Sequence, residues 1–191
     1  MNKILVSVGL SNRHIHLTQE HVEDLFGKGY ELTKLKDLVQ PGQYACHEKV
    51  DLVGPKGTIK GVRVLGPARR KTQVEISLAD GYVLGVKSPI RDSGDLAGSP
   101  GIKIVGPKGE VHIEEGVIIA ARHIHMHTSD GERLGLRDKD VVKVRVGGQR
   151  GLVFENVVIR MSLKYSLEFH VDLEEGNGAG LKNGDMVEII I

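Results

Sequence analysis

The chain has 191 residues, which is enough for one large domain or two small ones. Hydrophobic residues make up 40% of the sequence and charged residues 27%, an ordinary globular composition that excludes a disordered chain. A net charge of +1 and an aromatic content of 4% argue against a basic nucleic-acid or membrane-surface binder and against an aromatic platform for single strands.

The first predicted elements are a strand followed by a short helix. Residues 4–8 are apolar and β-branched enough to predict a strand. Thr18 is a suitable N-cap for a helix that continues to about Phe26, and Gly27 is expected to end it.

Short strands separated by glycine turns are predicted for most of the remaining chain. Alternation predicts a strand at 73–78, then a turn at 80–81 and another strand at 82–86. The sequence Val-Gly-Pro-Lys-Gly occurs at residues 53–57 and again at 105–109. Closely spaced turns between short strands are typical of β-barrels and sandwiches.

From this pattern we predict a mainly β fold, with two small antiparallel β-barrels, a few short capping helices and a metal site between the barrels. The first barrel is expected to comprise residues 1–12 and 121–191, and the second residues 13–120. The two are interleaved along the chain, so we expect one compact unit.

The metal site is predicted from a duplicated motif. Arg-His-Ile-His occurs at residues 13–16 and at 122–125, an offset of 109 positions (123 − 14). In a strand alternate side chains share a face, so the two histidines of each copy project together and can bind a metal ion. The alternative is that they are surface or hydrogen-bonded core histidines. Nitrogen ligands favour zinc, with cobalt, nickel and iron left open.

Other residues could complete such a site. Neutral imidazoles leave the charge of a dication uncompensated, and Glu75 lies in an apolar strand where an unpaired carboxylate is costly. Glu75 could bridge two ions, or it could lie on a barrel exterior. His170 could complete the ligand set. His127 extends the second copy without a counterpart in the first, so we expect it beside the ligands or facing solvent.

Two short segments carry other reactive side chains. Residues 69–71 (Arg-Arg-Lys) form a compact basic cluster, and Arg suits bidentate recognition of phosphate, although a solvated turn is the alternative. Residues 46–48 (Cys-His-Glu) could be a nucleophile with its base. Adjacency in sequence does not bring two side chains together, so we expect an inert thiol.

The cellular compartment is predicted from what the sequence lacks. Cys46 is the only cysteine, which excludes an internal disulfide and fits a reducing compartment. The apolar run at the start is too short for a secretory signal, and no run approaches the roughly 18 residues needed to cross a bilayer. We expect a cytoplasmic protein that binds neither nucleic acid nor a membrane.

Several segments together match one known pattern. They are residues 11–16, 66–75, 91–94 and 122–126, with His170 and Asn177 near the end. In this order they resemble the phosphate propanoyltransferase family, phosphotransacylases of the PduL type known from bacterial microcompartments. The resemblance spans nearly the whole chain.

The resemblance implies two β-barrels, a dinuclear zinc site and coenzyme A as a substrate. In that site, His14 and His16 would hold one ion, His123, His125 and His170 the other, and Glu75 would bridge them. Arg69 would bind phosphate as the catalytic residue. The residues implied around coenzyme A are Ser11, Lys36, Arg63, Leu65, His170 and Asn177.

The implied reaction converts acyl-CoA and inorganic phosphate into acyl phosphate and CoA, with acetyl or propanoyl as the acyl group. Phosphate would attack the thioester directly, without a protein nucleophile. Two other interpretations are a binuclear metal-dependent hydrolase and a non-enzymatic module that binds metal or CoA. Residue chemistry alone indicates a metal-dependent β-barrel protein that acts on a phosphorylated substrate.

One departure from the family concerns the N-terminus. Microcompartment members carry an N-terminal extension with an encapsulation helix, whereas the first strand here is predicted at about residue 4. We therefore expect no packaging by that route. The sequence is compatible with a homo-oligomer.

Overall fold

The computed structural model of the chain describes residues 3–191. Its strands are β1 (Ile4–Ser11), β2 (His14–His16), β3 (Lys34–Asp37), β4 (Tyr44–Val53), β5 (Thr58–Gly66), β6 (Gln73–Glu75), β7 (Ile90–Arg91), β8 (Ile102–Val105), β9 (Glu110–Ile113), β10 (Val117–Ala120), β11 (His123–Met126), β12 (Val141–Val146), β13 (Leu152–Met161), β14 (Glu168–Asp172) and β15 (Met186–Ile190). Its helices are α1 (Gln19–Phe26), α2 (Leu78–Leu84), α3 (Thr128–Leu134) and α4 (Leu173–Ala179). In residues 3–191, none of these helices has the length and apolar character needed to cross a bilayer.

The chain divides into two compact units. Among the described residues, the barrel unit comprises residues 3–12, 39–41 and 121–191, and the sheet unit comprises residues 13–38 and 42–120. The short segment 39–41 belongs to the barrel unit because Gln40 is held there. The Gln40 side-chain amide donates to the carbonyl of Ser166 (3.1 Å) and to the carboxylate of Glu168 (3.0 Å).

The barrel unit contains a closed barrel with the strand order β1-β14-β11-β13-β12-β15. The pairs β1–β14 and β11–β13 are parallel, and the other four pairs are antiparallel. In β12 the alternate residues Val142, Val144 and Val146 are buried, and they pack with Phe169 and Ile159 in one apolar core. Burial of such side chains is the main stabilising contribution, at about 1.5–3 kcal/mol for each.

The sheet unit contains a nine-stranded sheet with the order β7-β10-β6-β2-β5-β4-β8-β9, with β3 paired to β4. Its core includes Ile15, Leu17, Leu25 and Leu52, all fully buried. The sheet follows an open path from β7 to β9, which makes it a half-barrel.

The repeated Val-Gly-Pro-Lys-Gly segments form two equivalent hairpin turns. Gly54 lies between β4 and β5, and Gly106 lies between β8 and β9. A Cβ atom on Gly54 would lie 2.2 Å from the carbonyl oxygen of Leu84, and one on Gly106 would lie 2.5 Å from that of Leu25. Each turn therefore needs glycine because it packs directly on the C-terminal part of a helix, α2 and α1 respectively.

The mainly β prediction with a few short helices is confirmed, with two differences in detail. One unit is a closed barrel, whereas the other is a half-barrel, and both mix parallel with antiparallel pairs. The helix α1 is also confirmed: the Thr18 side chain accepts a hydrogen bond from the backbone N–H of His21, and the helix ends at Gly27.

The predicted strand at 82–86 is wrong, because α2 occupies most of that range. Ser77 and Asp80 form a capping box, in which each side chain accepts a hydrogen bond from the backbone N–H of the other. This box starts a helix at Leu78 and so ends the preceding strand at Glu75.

Candidate metal centres

The first cluster of ligand-type side chains lies in the sheet unit and comprises His14, His16 and Glu75. We call it the sheet centre. His14 lies directly opposite Glu75 in the antiparallel pair of β2 and β6. One ligand atom from each residue lies within 4.8 Å of the other two, and His14 Nε2 is 3.4 Å from the Glu75 carboxylate. The alternation of β2 buries Ile15 on the opposite face.

The second cluster lies in the barrel unit and comprises His123, His125 and His170. We call it the barrel centre. His123 lies directly opposite His170 in the antiparallel pair of β11 and β14. The ligand atoms again lie within 4.8 Å of one another, and the rings of His123 and His170 stack with centroids 5.1 Å apart. Ile124 is fully buried behind them.

Backbone carbonyls orient one imidazole in each centre. His16 Nδ1 lies 3.2 Å from the carbonyl oxygen of Leu65, and His123 Nδ1 lies 2.8 Å from that of Ala121. A carbonyl oxygen only accepts hydrogen bonds, so these contacts place the proton on Nδ1 and leave the lone pair of Nε2 for an ion. Burial, followed by the neighbouring His14 and Arg69 charges, holds the pKa of His16 well below its ordinary value, so the ring is neutral.

A buried carboxylate accompanies the three imidazoles of the barrel centre. Glu168 Oε2 lies 2.7 Å from His170 Nε2. Burial raises the pKa of Glu168, but the His170 and Gln40 side chains outweigh burial, and the net pKa lies below its ordinary value. The backbone at Gly9 packs against this pair, since a Cβ there would lie 2.8 Å from Glu168 Oε1 and 3.1 Å from the His170 ring.

An amide side chain holds the carboxylate of the sheet centre. The Gln73 amide donates to Glu75 Oε1 (2.5 Å) and to Ser93 Oγ (2.7 Å), and its carbonyl oxygen accepts from the backbone N–H of Gly94 (2.8 Å). Gln73 therefore connects Glu75 to the segment at 91–94.

Arg69 lies beside the sheet centre. Its backbone N–H donates to the carbonyl of Leu17 (2.7 Å), and its guanidinium contacts the side-chain oxygen of Gln43 at 3.5 Å. Its positive charge is one of the causes of the low pKa of His16. Arg69 is half-buried, and its backbone contact with Leu17, the residue after His16, places it beside this cluster.

The sheet unit also contains half of the side chains expected around coenzyme A. Arg63 is the strand partner of His14, and the carbonyl of Leu65 faces His16. Lys36 in β3 pairs with Ala45 in β4, which pairs with Leu65 in β5, and Lys36 is exposed. These three side chains therefore lie on strands beside or near the sheet centre.

The barrel unit contains the other three. His170 belongs to the barrel centre. Ser11 pairs with Asp172 at the end of β14, two residues beyond His170. Asn177 lies in the last turn of α4 and is exposed.

Two other side chains have structural surroundings of their own. The His127 ring is the N-cap of α3 and accepts from the backbone N–H of Ser129. The Cys46 thiol is buried, and burial, followed by the Glu48 charge, raises its pKa to about 11. Glu48 in turn accepts hydrogen bonds from Tyr30 and Thr33 rather than from His47.

The donor sets fit transition-metal ions. Imidazole nitrogens with a carboxylate are typical zinc ligands, and three protein ligands leave a coordination position open for substrate. The carbonyl contacts of His16 and His123 are the kind of outer contacts that orient metal-binding histidines. The Glu168 carboxylate lies close to His170, which places a negative charge against the third ligand of the barrel centre.

Sequence reasoning missed Gln73 and Glu168. Each lies two residues before a ligand in the same strand, Gln73 before Glu75 and Glu168 before His170, and so shares its face. The alternation of side chains along a strand, with a period of two residues, could have identified both.

Comparisons with known proteins point in one direction. A family model described as phosphate propanoyltransferase matches residues 7–182. The phosphate propanoyltransferase of Thermotoga maritima is 59% identical over 186 residues, covering 97% of this chain and 89% of the relative. Those of Clostridioides difficile and Rhodopseudomonas palustris are 52% and 53% identical, covering 97% and 96% of this chain and 88% and 81% of the relatives.

Proposed function

This chain belongs to the phosphate propanoyltransferase family, and we propose on that basis that it interconverts acyl-CoA and inorganic phosphate with acyl phosphate and CoA. The observation that supports this function best is the placement of Arg69 beside a cluster of metal-type ligands in the sheet unit, where its backbone is bonded to the residue after His16. An arginine at that position suits phosphate, the second substrate. Acetyl and propanoyl are the proposed acyl groups.

We assign one ion to each centre, with zinc as the proposed metal and cobalt or nickel as alternatives. In the sheet centre His14, His16 and Glu75 would hold it, and in the barrel centre the three histidines would. Ions bound there would polarise the thioester carbonyl and lower the pKa of the departing thiol. The bridging role of Glu75 stays a prediction.

Arg69 is proposed to bind and orient phosphate. Its backbone N–H is held by the carbonyl of Leu17, the residue that follows His16, so Arg69 is anchored next to the histidine strand of the sheet centre. Its charge also favours the neutral form of His16, which is the form that binds an ion. The same arginine thereby supports both functions of the sheet centre.

For coenzyme A we propose contacts with Ser11, Lys36, Arg63, Leu65, His170 and Asn177. In the sheet unit, the support is the position of Arg63 and Leu65 next to the ligands of the sheet centre, with Lys36 in the same row as Leu65. In the barrel unit, it is the position of Ser11 beside the strand that carries His170.

The acyl group is proposed to move directly from CoA to phosphate, without an acyl-enzyme. A phosphate oxygen forms the new C–O bond to the acyl carbon, the C–S bond breaks, and the electron pair leaves with the CoA sulfur. A protein thiol is not required, and Cys46 is unsuited to the role because it is buried and its pKa is about 11. A cytoplasmic location is part of this proposal, and a homo-oligomer stays a prediction.

Thiol release from acetyl-CoA and propanoyl-CoA tests the function directly. We expect release only when inorganic phosphate is present, with one acyl phosphate formed for each thiol. Release of free carboxylic acid without phosphate would instead identify a hydrolase, and tight CoA binding without turnover would identify a binding module.

A further inference from the structure

All four strands that carry ligands lead directly into short helices. In each case the N-cap lies two residues after the last ligand of the strand. The pairs of ligand and N-cap are His16 and Thr18, Glu75 and Ser77, His125 and His127, and His170 and Asp172. The start of each helix therefore fixes the end of the strand that presents the ligand.

The helices that follow the third ligand of each centre share one further feature. Both begin with a capping box: Ser77 with Asp80 in α2, and Asp172 with Glu175 in α4. In both, the carboxylate of the box lies five residues after the third ligand (80 − 75 and 175 − 170).

The arginine of each Arg-His-Ile-His copy binds that carboxylate. The guanidinium of Arg13 contacts both oxygens of Asp80, with Nε–Oδ2 at 2.9 Å and Nη2–Oδ1 at 2.7 Å. In the barrel unit, Arg122 Nε donates to Glu175 Oε1. In each copy the arginine directly precedes the histidine that lies opposite the third ligand. The ion pair therefore connects the strand of that histidine to the helix that follows the third ligand.

We propose that Arg13 and Arg122 are positioning residues, each holding the third ligand of its own centre, Glu75 or His170, at the ion. This inference rests on the proposed function only in that the two centres bind ions. The ion pair fixes the helix start against the histidine strand, and the helix start fixes the ligand two residues before it. The two-point contact of Arg13 with Asp80 is of a kind that is both strong and directional, and Arg122 makes a single charged hydrogen bond to Glu175.

The two pairs differ in burial, which predicts unequal effects. The Asp80 side chain is 5% exposed, whereas that of Glu175 is 23% exposed. Loss of the arginine leaves the same unpaired charge in both cases, and this charge destabilises the more buried carboxylate more strongly. Arg13 is therefore expected to matter more to the sheet centre than Arg122 does to the barrel centre.

The test measures ion affinity in variants in which one of the two centres has been disabled by substitution of a ligand. In a His125→Ala background the remaining ion belongs to the sheet centre, and in a His16→Ala background to the barrel centre. Cobalt or zinc affinity is measured by chelator competition, with the visible spectrum of cobalt as a readout of ligand geometry. Arg145→Gln serves as the control, because it removes the ion pair with Glu188, which involves no helix that follows a ligand.

In the His125→Ala background we expect Arg13→Gln to lower the ion affinity of the sheet centre by about 10- to 100-fold. This is the usual effect of losing a contact that orients a ligand. Arg122→Gln and Arg145→Gln should leave that affinity unchanged, and the pattern should reverse in the His16→Ala background. Arg13→Lys should restore part of the affinity, because it keeps the charge but not the two-point contact. Should Arg13→Gln fail to fold, Asp80→Asn should show the same selective loss.

Equal effects of Arg13→Gln and Arg122→Gln in one background, or no effect of either, would overturn the inference. A parent chain that binds no ion would instead contradict the proposed function, so the two failures can be told apart.

Discussion

The sheet centre and the barrel centre contain the same tetrapeptide but differ in their third ligand and in the charged groups beside it. In the sheet centre the third ligand is the carboxylate of Glu75, and the Arg69 cation lies close by. In the barrel centre the third ligand is the imidazole of His170, and the carboxylate of Glu168 lies behind it at 2.7 Å. Both centres thus include one carboxylate, which belongs to the ligand cluster in one and lies against a ligand imidazole in the other.

This difference suggests a division of roles. The centre with the nearby Arg69 is suited to an anionic substrate, whereas the barrel centre offers three nitrogen ligands. A duplicated motif therefore does not imply duplicated chemistry. The residue opposite the first histidine, Glu75 or His170, decides the character of each centre.

The largest effect on ion binding is expected from substitutions of the two carboxylates, Glu75 and Glu168. Glu75→Gln removes a ligand, and Glu168→Gln removes a contact behind one. We expect Glu168→Gln to weaken ion binding by about 10- to 100-fold and Glu75→Gln by more than that. Metal analysis after dialysis measures both.

The same experiment tests the bridging prediction for Glu75. Loss of both ions from Glu75→Gln would support a bridge, and loss of one ion would contradict it. Equal, small effects of both variants would contradict the difference between the centres.

Removal of the Arg69 guanidinium is expected to have the next largest effect. Arg69→Ala should raise the phosphate concentration needed for half-maximal rate by about 10- to 150-fold, the worth of a hydrogen bond to a charged group. The neighbouring Arg70 is exposed, and Arg70→Ala is the matched control. Steady-state kinetics with varied phosphate measures the effect, and unchanged phosphate dependence with metal still bound would refute the role.

A smaller effect is expected from Gly9→Ala, which acts on the barrel centre alone. The added Cβ would press on Glu168 and His170, which must shift to make room. We expect roughly tenfold weaker ion binding at the barrel centre, at the lower end of effects from contacts behind a ligand. Gly147→Ala, where a Cβ would meet nothing within 4 Å, is the control. Identical affinities in the two variants would contradict the packing argument.

The smallest effect concerns Glu48, a buried carboxylate outside both centres. Burial raises its pKa, but hydrogen bonds from Thr33 and Tyr30 outweigh burial and give a net pKa below its ordinary value. A lowered pKa in the folded state stabilises the fold above the ordinary pKa of Glu, and this contribution is lost as pH falls through the lowered value.

Glu48→Gln should therefore lower the free energy of unfolding at pH 7 by about 1–3 kcal/mol. The difference from the parent chain should shrink below the ordinary pKa of Glu. Denaturant unfolding at neutral and acid pH measures it, with the exposed Glu114→Gln as control. A difference that is the same at both pH values would contradict this account.

Several features of the fold and of the centres could be predicted from sequence because they depend on short-range periodicity. The alternation in residues 13–16 and 122–125 placed each histidine pair on one face, opposite Ile15 or Ile124. The helix after Thr18 followed from its cap. These features are decided by neighbours in sequence.

Other features depend on pairings that periodicity does not encode. Whether a sheet closes into a barrel or stays open depends on which distant strands pair. Short-range periodicity in the sequence does not specify that pairing. The helix α2 was missed because apolar residues at 82–84 outweighed the capping box of Ser77 and Asp80 in the interpretation. The pairing of Arg13 with Asp80 spans 67 positions and becomes visible only in the fold.

The most direct test of the central claim combines metal content and phosphate-dependent thiol release during a chelator titration of one preparation. We predict two ions per chain at the start, a loss of activity that parallels the loss of metal, and recovery when zinc is restored. Full phosphate-dependent activity in a chain that contains no metal would contradict the account.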